Sequence, residues 1–144
     1  SLIEVPKGSE KLSGNPKPPW LIDSRASPHM SGEENLLRNI ESIGPVIVDL
    51  PNGEKTVANK QGTVILDKGL KLHKTLFVPS LRCNLISVSH ICKDLNCPIT
   101  FDKKFCIVQD HTMRTPIGMG EEQDGVYYYK KAPKQIQVHV VKIG

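Results

Sequence analysis

The segment Trp20 to Met30, W-L-I-D-S-R-A-S-P-H-M, constrains the rest of the chain most strongly. It begins with three apolar residues and passes directly to an acid, Asp23, as a buried strand does when it delivers a carboxylate to a site. A buried carboxylate is costly unless it is paired or performs chemistry. Two such acids that face each other can share one proton and activate a water molecule. The segment therefore predicts a strand that ends in a candidate catalytic acid.

Composition favours a single globular, β-rich domain with an appendage. With 144 residues, of which 38% are hydrophobic and 24% charged, the chain has enough apolar material for a modest core. Its 11 glycines and 11 prolines indicate many turns, which favours short strands over long helices. Residues 1–18 are polar, contain several prolines and glycines and show no apolar period, so we interpret them as a linker.

Charge and hydropathy argue against several classes of function. A net charge of +4 is mild and the lysines are spread along the chain, so the sequence does not predict nucleic-acid binding. The apolar runs fall well short of the roughly 20 residues of a membrane span. The polar N-terminal segment does not resemble a signal peptide either. We therefore expect an intracellular, cytoplasmic protein with no membrane partner.

The spacing of the cysteines predicts free thiols. Cys83, Cys92, Cys97 and Cys106 are separated by nine, five and nine residues and form no Cys-x-x-Cys pair. His90 lies too close to Cys92 for the two to be opposed zinc ligands. In a reducing compartment, buried free thiols are the usual form of such cysteines. We therefore expect neither disulfides, nor a metal site, nor a cofactor.

A hairpin is predicted after residue 45. Apolar residues alternate over 46–50 and resume over 56–58, with Pro51-Asn52-Gly53-Glu54 between them. Asn-Gly is the strongest short signal for a tight two-residue turn, because both residues accept positive φ.

The remaining periodicity predicts an all-β fold with one short helix. Apolar residues at i, i+3, i+4 and i+7 from Val88 predict a helix that Ser87 caps and Asn96 ends. Further strands are predicted at 63–66, 70–72, 75–78, 85–86, 99–101, 105–108 and 126–129, whereas 31–40 is interpreted as irregular.

Two motifs together resemble a known family. Asp23-Ser24-Arg25-Ala26 resembles the Asp-Ser-Gly-Ala signature of retropepsin-type aspartic proteases, in the version found in copia-type LTR retrotransposon polyproteins. The string Val78 to Ser87, V-P-S-L-R-C-N-L-I-S, resembles the second signature of the copia form. For residues 19–96 the resemblance implies a retropepsin-like half-barrel with a flap hairpin and one short C-terminal helix. Residues 97–132 resemble the pre-integrase segment, with additional β-hairpins, and 133–144 remain an unassigned tail.

The resemblance also implies a role for each motif residue. Asp23 would be the catalytic acid, and Ser24 would brace it across a subunit interface. Substrate binding is implied for Arg25, Ala26, Pro51, Asn52 and Gly53, and support of the catalytic turn for Asn84, Leu85 and Ile86. Because the mechanism needs two facing aspartates and the chain has one motif, activity requires a homodimer that cleaves polyprotein peptide bonds. Such a domain would act in the cytoplasm, or in a virus-like particle if it belongs to a mobile element.

Arg25 stands where the family has glycine, and this difference predicts weak or absent proteolysis. Glycine allows close approach of substrate because it has no Cβ, whereas arginine crowds that approach. A guanidinium within reach of Asp23 also favours the ionised carboxylate, and two ionised acids cannot share a proton. If Arg25 instead points into solvent, activity would be reduced but retained. The alternative hypothesis is a catalytically inactive, host-adopted module of protease fold that dimerises or binds a partner protein.

Overall fold

The computed structural model describes residues 2–4, 18–24, 26–50, 53–67, 70–113 and 115–131. Within these ranges the protein has eleven β-strands and one α-helix, which confirms the predicted all-β class with a single short helix. The elements are β1 (Leu2–Glu4), β2 (Trp20–Asp23), β3 (Met30–Ser31), β4 (Arg38–Asp49), β5 (Lys55–Asp67), β6 (Leu70–Phe77), β7 (Asn84–Ser87), α1 (Val88–Asp94), β8 (Ile99–Phe101), β9 (Phe105–Gln109), β10 (Pro116–Gln123) and β11 (Val126–Lys130). All the described strands join one sheet in the order β1-β4-β5-β6-β3-β7-β2-β11-β10-β9-β8.

Strand β2 lies inside this sheet, between β7 and β11. It runs parallel to β7, with Leu21 opposite Leu85, and antiparallel to β11, with Leu21 opposite Tyr128. Leu21 and Ile22 are 3% and 4% exposed. A strand buried on both faces needs a continuous apolar run, which explains the sequence that precedes Asp23. The acid thus emerges at the carboxyl end of an interior strand.

Two hydrophobic clusters flank the β2–β7 pair. Leu21 and Leu85 belong to the first cluster, and Ile22 and Ile86 to the second. Successive side chains of a strand point to opposite faces, so both strands contribute to both clusters. The first cluster is completed by residues that include Met30, Val48, Ala58, Leu76 and Val78, and the second by residues that include Val64, Leu72, Ile91, Cys106 and Val108.

The predicted hairpin is formed by β4 and β5, but its turn is longer than predicted. The Leu50 N–H donates to the Glu54 carbonyl at 2.8 Å, and the Gly53 N–H donates to the Leu50 carbonyl at 3.0 Å. Three residues therefore span the turn instead of two. Gly53 has φ +87°, a left-handed conformation that glycine adopts without steric cost. Pro51 and Asn52 lie outside the described residues.

Four of the predicted short strands belong to two long ones. The segments 56–58 and 63–66 are parts of β5, and 70–72 lies with most of 75–78 in β6. The β5–β6 register shifts between Gly62 and Val64. The extra residue lies in β6, between Leu72 and Thr75, and it interrupts the alternation of side chains there, so this strand produces two separate apolar patterns.

Residues 31–40 are more regular than predicted. They contain a 3-10 turn (Glu34–Leu36) and the start of β4. The first residues of β4, 38–42, are all exposed. A strand segment without a buried face shows no hydrophobic alternation, so the sequence carries no signal for it.

The helix prediction is confirmed at both ends. Helix α1 begins after Ser87, whose Oγ accepts the His90 N–H at 3.2 Å as an N-cap. It ends at Asp94 with Leu95 as its C-cap, and Asn96 follows with φ +52°. Asparagine tolerates this left-handed conformation better than most residues, and it commonly follows the last turn of a helix.

The C-terminal hairpins continue the same sheet. Strands β8 and β9 form the first hairpin, and β10 and β11 form the second. Asp124 and Gly125 connect β10 to β11 with φ +54° and +83°, as a two-residue hairpin turn requires. Tyr127 lies opposite Ile22 of β2, and its hydroxyl donates to the Asp102 carbonyl at 2.7 Å. Strand β11 therefore packs directly against the strand that carries Asp23, and β10, β9 and β8 extend the sheet from it.

The four cysteines are free thiols, and most of them are buried. None of the four forms a disulfide; Cys83, Cys97 and Cys106 are buried and Cys92 is exposed. Burial raises the pKa of the Cys106 thiol to about 11, so this group stays protonated and unreactive near neutral pH. Among the residues described above, no cluster of three or more metal-binding side chains is present.

No α-helix in the described ranges is long and apolar enough to span a membrane.

Candidate active site

Asp23 is the last residue of β2, and its side chain is partly buried. Ser24, which follows it, is exposed, whereas Ala26 is only 2% exposed. The chain thus leaves the interior at Asp23, reaches solvent for a short distance and returns at Ala26. Arg25 lies outside the described residues.

The second motif lies directly beside β2. Asn84, Leu85 and Ile86 are at most 1% exposed. They pair in register with the three residues that precede Asp23, and Ser87 pairs with Asp23 itself. The two motifs, 61 residues apart in the sequence, therefore lie on adjacent parallel strands.

Asn84 connects β7 to the chain on either side of the Asp23 segment. Its Oδ1 accepts the Ser31 hydroxyl at 2.6 Å, and its Nδ2 donates to the Pro18 carbonyl at 3.2 Å. The Ser31 Oγ in turn accepts the Glu33 N–H at 3.1 Å. Through these hydrogen bonds the buried Asn84 amide links the chain just before β2 to Ser31 of β3. The two links fix the position of the segment between them, which contains Asp23.

Asn84→Ala is expected to lower the free energy of unfolding by about 2–3 kcal/mol, because the buried Ser31 hydroxyl loses its acceptor. Urea denaturation followed by circular dichroism measures this change. Asn59→Ala is the matched control: Asn59 is exposed on β5, and its replacement is expected to change stability by less than about 0.5 kcal/mol. Equal effects of the two substitutions would contradict the role given to Asn84.

Ser87 fastens the turn after Asp23 from the other side. Its Oγ lies 2.7 Å from the Ala26 carbonyl and 3.0 Å from the Ser27 carbonyl, to which it donates. Its N–H donates to Nδ1 of His29 at 2.9 Å. Sequence reasoning identifies Ser87 only as the helix cap and does not identify His29 at all. The sequence signal for Ser87 is its position as a polar residue at the end of an apolar strand. A side chain there can hydrogen-bond both the following helix and a neighbouring turn.

His29 is a buried, neutral histidine. It is 1% exposed, and its ring packs edge to face against His90 with the centroids 5.1 Å apart. Burial, together with the nearby His90 and His73, lowers the pKa of His29 from 6.5 to about 3. Since Nδ1 accepts a hydrogen bond, the proton of the neutral ring is on Nε2. His29 therefore works as an acceptor for the turn, without charge.

The pKa of His29 predicts a loss of stability on acidification. In the unfolded chain this histidine binds a proton below about pH 6.5, whereas in the folded protein it resists protonation down to about pH 3. Between about pH 6.5 and pH 3 the unfolded state therefore binds more protons than the folded state. As a result, the contribution of His29 to the stability of the folded protein falls as the pH drops through this range. We expect a loss of about 2 kcal/mol between pH 7 and pH 5 from this residue.

Urea denaturation at both pH values tests this expectation in the wild type and in His29→Asn. Asparagine keeps an acceptor in place of Nδ1 but does not titrate, so its profile should be flatter by about that amount. His111→Asn is the control, because His111 is exposed, and it should keep the wild-type profile. Identical profiles for all three proteins would show that His29 is not buried in its neutral form.

The β4–β5 hairpin packs on the same cluster as the two motifs. Val48 and Ala58 are fully buried and lie in the cluster with Leu21 and Leu85. On the opposite face, Ile47 and Val57 pair across the hairpin and are 44% and 51% exposed. Gly53 is exposed at the tip. The hairpin is thus anchored at its base and has an apolar pair facing outward.

Comparison with known proteins identifies the family. The family model of the Pol polyprotein, beta-barrel domain, matches residues 20–96, just over half of the chain. The chain is 29% identical over 132 residues to the Retrovirus-related Pol polyprotein from transposon RE1 of Arabidopsis thaliana, which covers 89% of this chain and 9% of that protein. It is 28% identical over 120 residues to the Retrovirus-related Pol polyprotein from transposon RE2 of the same plant, with 81% and 8% covered.

The chain therefore spans less than a tenth of the length of either relative. No solved structure matches it. The matched range contains both motifs, the β4–β5 hairpin and helix α1. The chain belongs to the beta-barrel domain family of Pol polyproteins.

Proposed function

We propose that this chain is the retropepsin-like aspartic protease domain of a copia-type retrotransposon polyprotein. In this proposal it acts as a homodimer on peptide bonds of that polyprotein. Its activity is weakened because Arg25 replaces the motif glycine. The membership in the Pol beta-barrel family and the names of both Arabidopsis relatives support an origin in a transposon polyprotein.

The observation that carries the proposal is the position of Asp23. It stands at the carboxyl end of an interior strand, opposite Ser87, which is the last residue of β7 and the N-cap of α1. Two such carboxylates brought together could hold one proton between them, so that one activates water and the other protonates the scissile carbonyl oxygen. The partly buried Asp23 and the exposed Ser24 are suited to meeting a second copy, since each chain supplies one acid.

The β4–β5 hairpin supports the assignment of a peptide substrate. Its outward apolar pair, Ile47 and Val57, offers side-chain contacts to an extended peptide, and a hairpin tip that includes Gly53 can move with little steric resistance. Pro51, Asn52 and Gly53 would cover the peptide in this proposal, with Arg25 and Ala26 below it. The Ala26 side chain is buried and its carbonyl accepts a hydrogen bond from Ser87, so its contribution would come from its backbone N–H.

Two measurements on the wild-type protein test the proposal together. Light scattering over a range of concentrations measures its mass, and incubation with peptides that span polyprotein junctions measures cleavage. A dimer with slow cleavage that pepstatin-type inhibitors block is the expected result. A monomer at all concentrations, with no cleavage by it or by Arg25→Gly, would contradict the proposal.

The second candidate is an inactive module of the same fold that dimerises or binds a partner protein. The residue that favours it is Arg25, because a guanidinium at the motif glycine could serve as a counter-ion for the two carboxylates. This candidate predicts a stable dimer in which neither the wild type nor Arg25→Gly cleaves any junction peptide.

A further inference from the structure

We propose that Ser87 is a positioning residue for Asp23, which it serves by holding the turn that follows the acid. The inference rests on the proposed protease function for its catalytic consequence. The contacts themselves do not depend on that function. They define a role for Ser87 beyond that of a helix cap.

Ser87 meets the turn at two levels. Its backbone pairs with Asp23 in the parallel β2–β7 ladder, at the point where β2 ends. Its hydroxyl reaches the carbonyls of Ala26 and Ser27, at 2.7 and 3.0 Å, where the chain has returned to the interior. The backbone and the hydroxyl of this one residue therefore hold both ends of the turn between Asp23 and Ser27.

The site requires a small hydroxyl side chain. Ser87 is fully buried, so a long polar side chain has no space there. A single O–H is shared between two carbonyls, and the lone pairs of the same oxygen accept the His90 N–H at 3.2 Å. The hydroxyl of Ser89 is 3.0 Å away and can either donate or accept. A hydroxyl on a short side chain thus combines a donor for the turn with an acceptor for the helix.

His29 completes the arrangement. Its Nδ1 accepts the Ser87 N–H at 2.9 Å from the end of the same turn. The turn is thus attached to Ser87 at both its middle and its end, through residues about 60 positions away in the sequence. Loss of the hydroxyl should free the middle of the turn while the contact with His29 remains.

The experiment compares three replacements of Ser87 with one control. Ser87→Ala and Ser87→Gly remove the hydroxyl, and glycine is well tolerated as a helix N-cap, so it separates the turn from the cap. Ser87→Thr keeps the hydroxyl. Ser80→Ala is the control, because it removes an exposed hydroxyl from the chain that precedes β7.

Hydrogen–deuterium exchange is the first measurement. In Ser87→Ala and Ser87→Gly, the peptide that covers residues 20–30 should exchange about tenfold faster than in the wild type, and β9 and β10 should keep their protection. Ser87→Thr and Ser80→Ala should match the wild type. Unchanged exchange at 20–30 in both hydroxyl-deleted variants would overturn the inference. Fast exchange throughout both variants would also overturn it, since the hydroxyl would then serve the whole fold.

Cleavage kinetics are the second measurement, made in the Arg25→Gly background. Both hydroxyl deletions should lower kcat by about ten- to a hundredfold with KM within about twofold, and Ser87→Thr should restore kcat. An equal loss in Ser80→Ala would overturn the positioning role. If no protein with Ser87 intact cleaves, the proposed function fails, and the exchange measurement alone decides whether Ser87 holds the turn.

Discussion

Replacing Arg25 with glycine is expected to raise the cleavage of a polyprotein junction peptide by about tenfold or more. Glycine allows the substrate backbone to approach the turn after Asp23, whereas any Cβ at this position takes up part of that space. In the proposed homodimer, the substitution would also remove a positive charge next to two carboxylates that share a proton. The added space and the removed charge would both act on the step in which the substrate binds next to the two carboxylates.

The measurement is kcat/KM for the wild type and for Arg25→Gly under identical conditions. Adding Asp23→Asn to Arg25→Gly should abolish cleavage, because an amide cannot serve as the base. Arg38→Gly is the matched control: Arg38 is exposed at the start of β4, and its loss should leave the rate unchanged. Efficient, Asp23-dependent cleavage by the wild type, with no gain in Arg25→Gly, would disprove the silencing effect of Arg25.

A chain that ends at residue 96 is expected to lose most or all of its stability. Removing β8 to β11 strips β11 from β2 and leaves the backbone groups of an interior strand unpaired. It also removes Cys106 and Val108, which are fully buried against Ile22 and its neighbours. Each fully buried side chain of this kind contributes about 1.5–3 kcal/mol, and the whole domain is held by about 5–15 kcal/mol.

Thermal unfolding and solubility measure this effect. A chain that ends at residue 131 is the control, because it keeps every strand of the described sheet. A separate peptide with residues 97–131 should partly rescue the shortened chain. Cooperative unfolding of the chain ending at 96, at the temperature of the control, would instead support an autonomous domain over 19–96, as the division made from the sequence predicts.

The sequence by itself determined the elements that depend on neighbouring residues. The run Trp20 to Ile22 specified an interior strand, because a continuous apolar segment suits a strand with both faces covered. Ser87 and Asn96 specified the ends of α1, since capping depends on side chains within one turn of each end. The candidate acid Asp23 was identifiable because it follows this apolar run directly, whereas the second motif was identified by its resemblance to a family signature.

Tertiary structure alone decided the features that depend on contacts between distant residues. Pairing with neighbouring strands joined the predicted segments into β5 and β6, because a paired segment can be stable although its own apolar pattern is broken. The placement of β11 beside β2 follows from burial of Ile22 and Tyr127 together, which no local pattern encodes. The contacts of Ser87 with Ala26 and His29 likewise join residues about 60 positions apart. A polar residue such as serine or histidine does not take part in a hydrophobic period. Only the folded chain therefore shows with which buried group it forms a hydrogen bond.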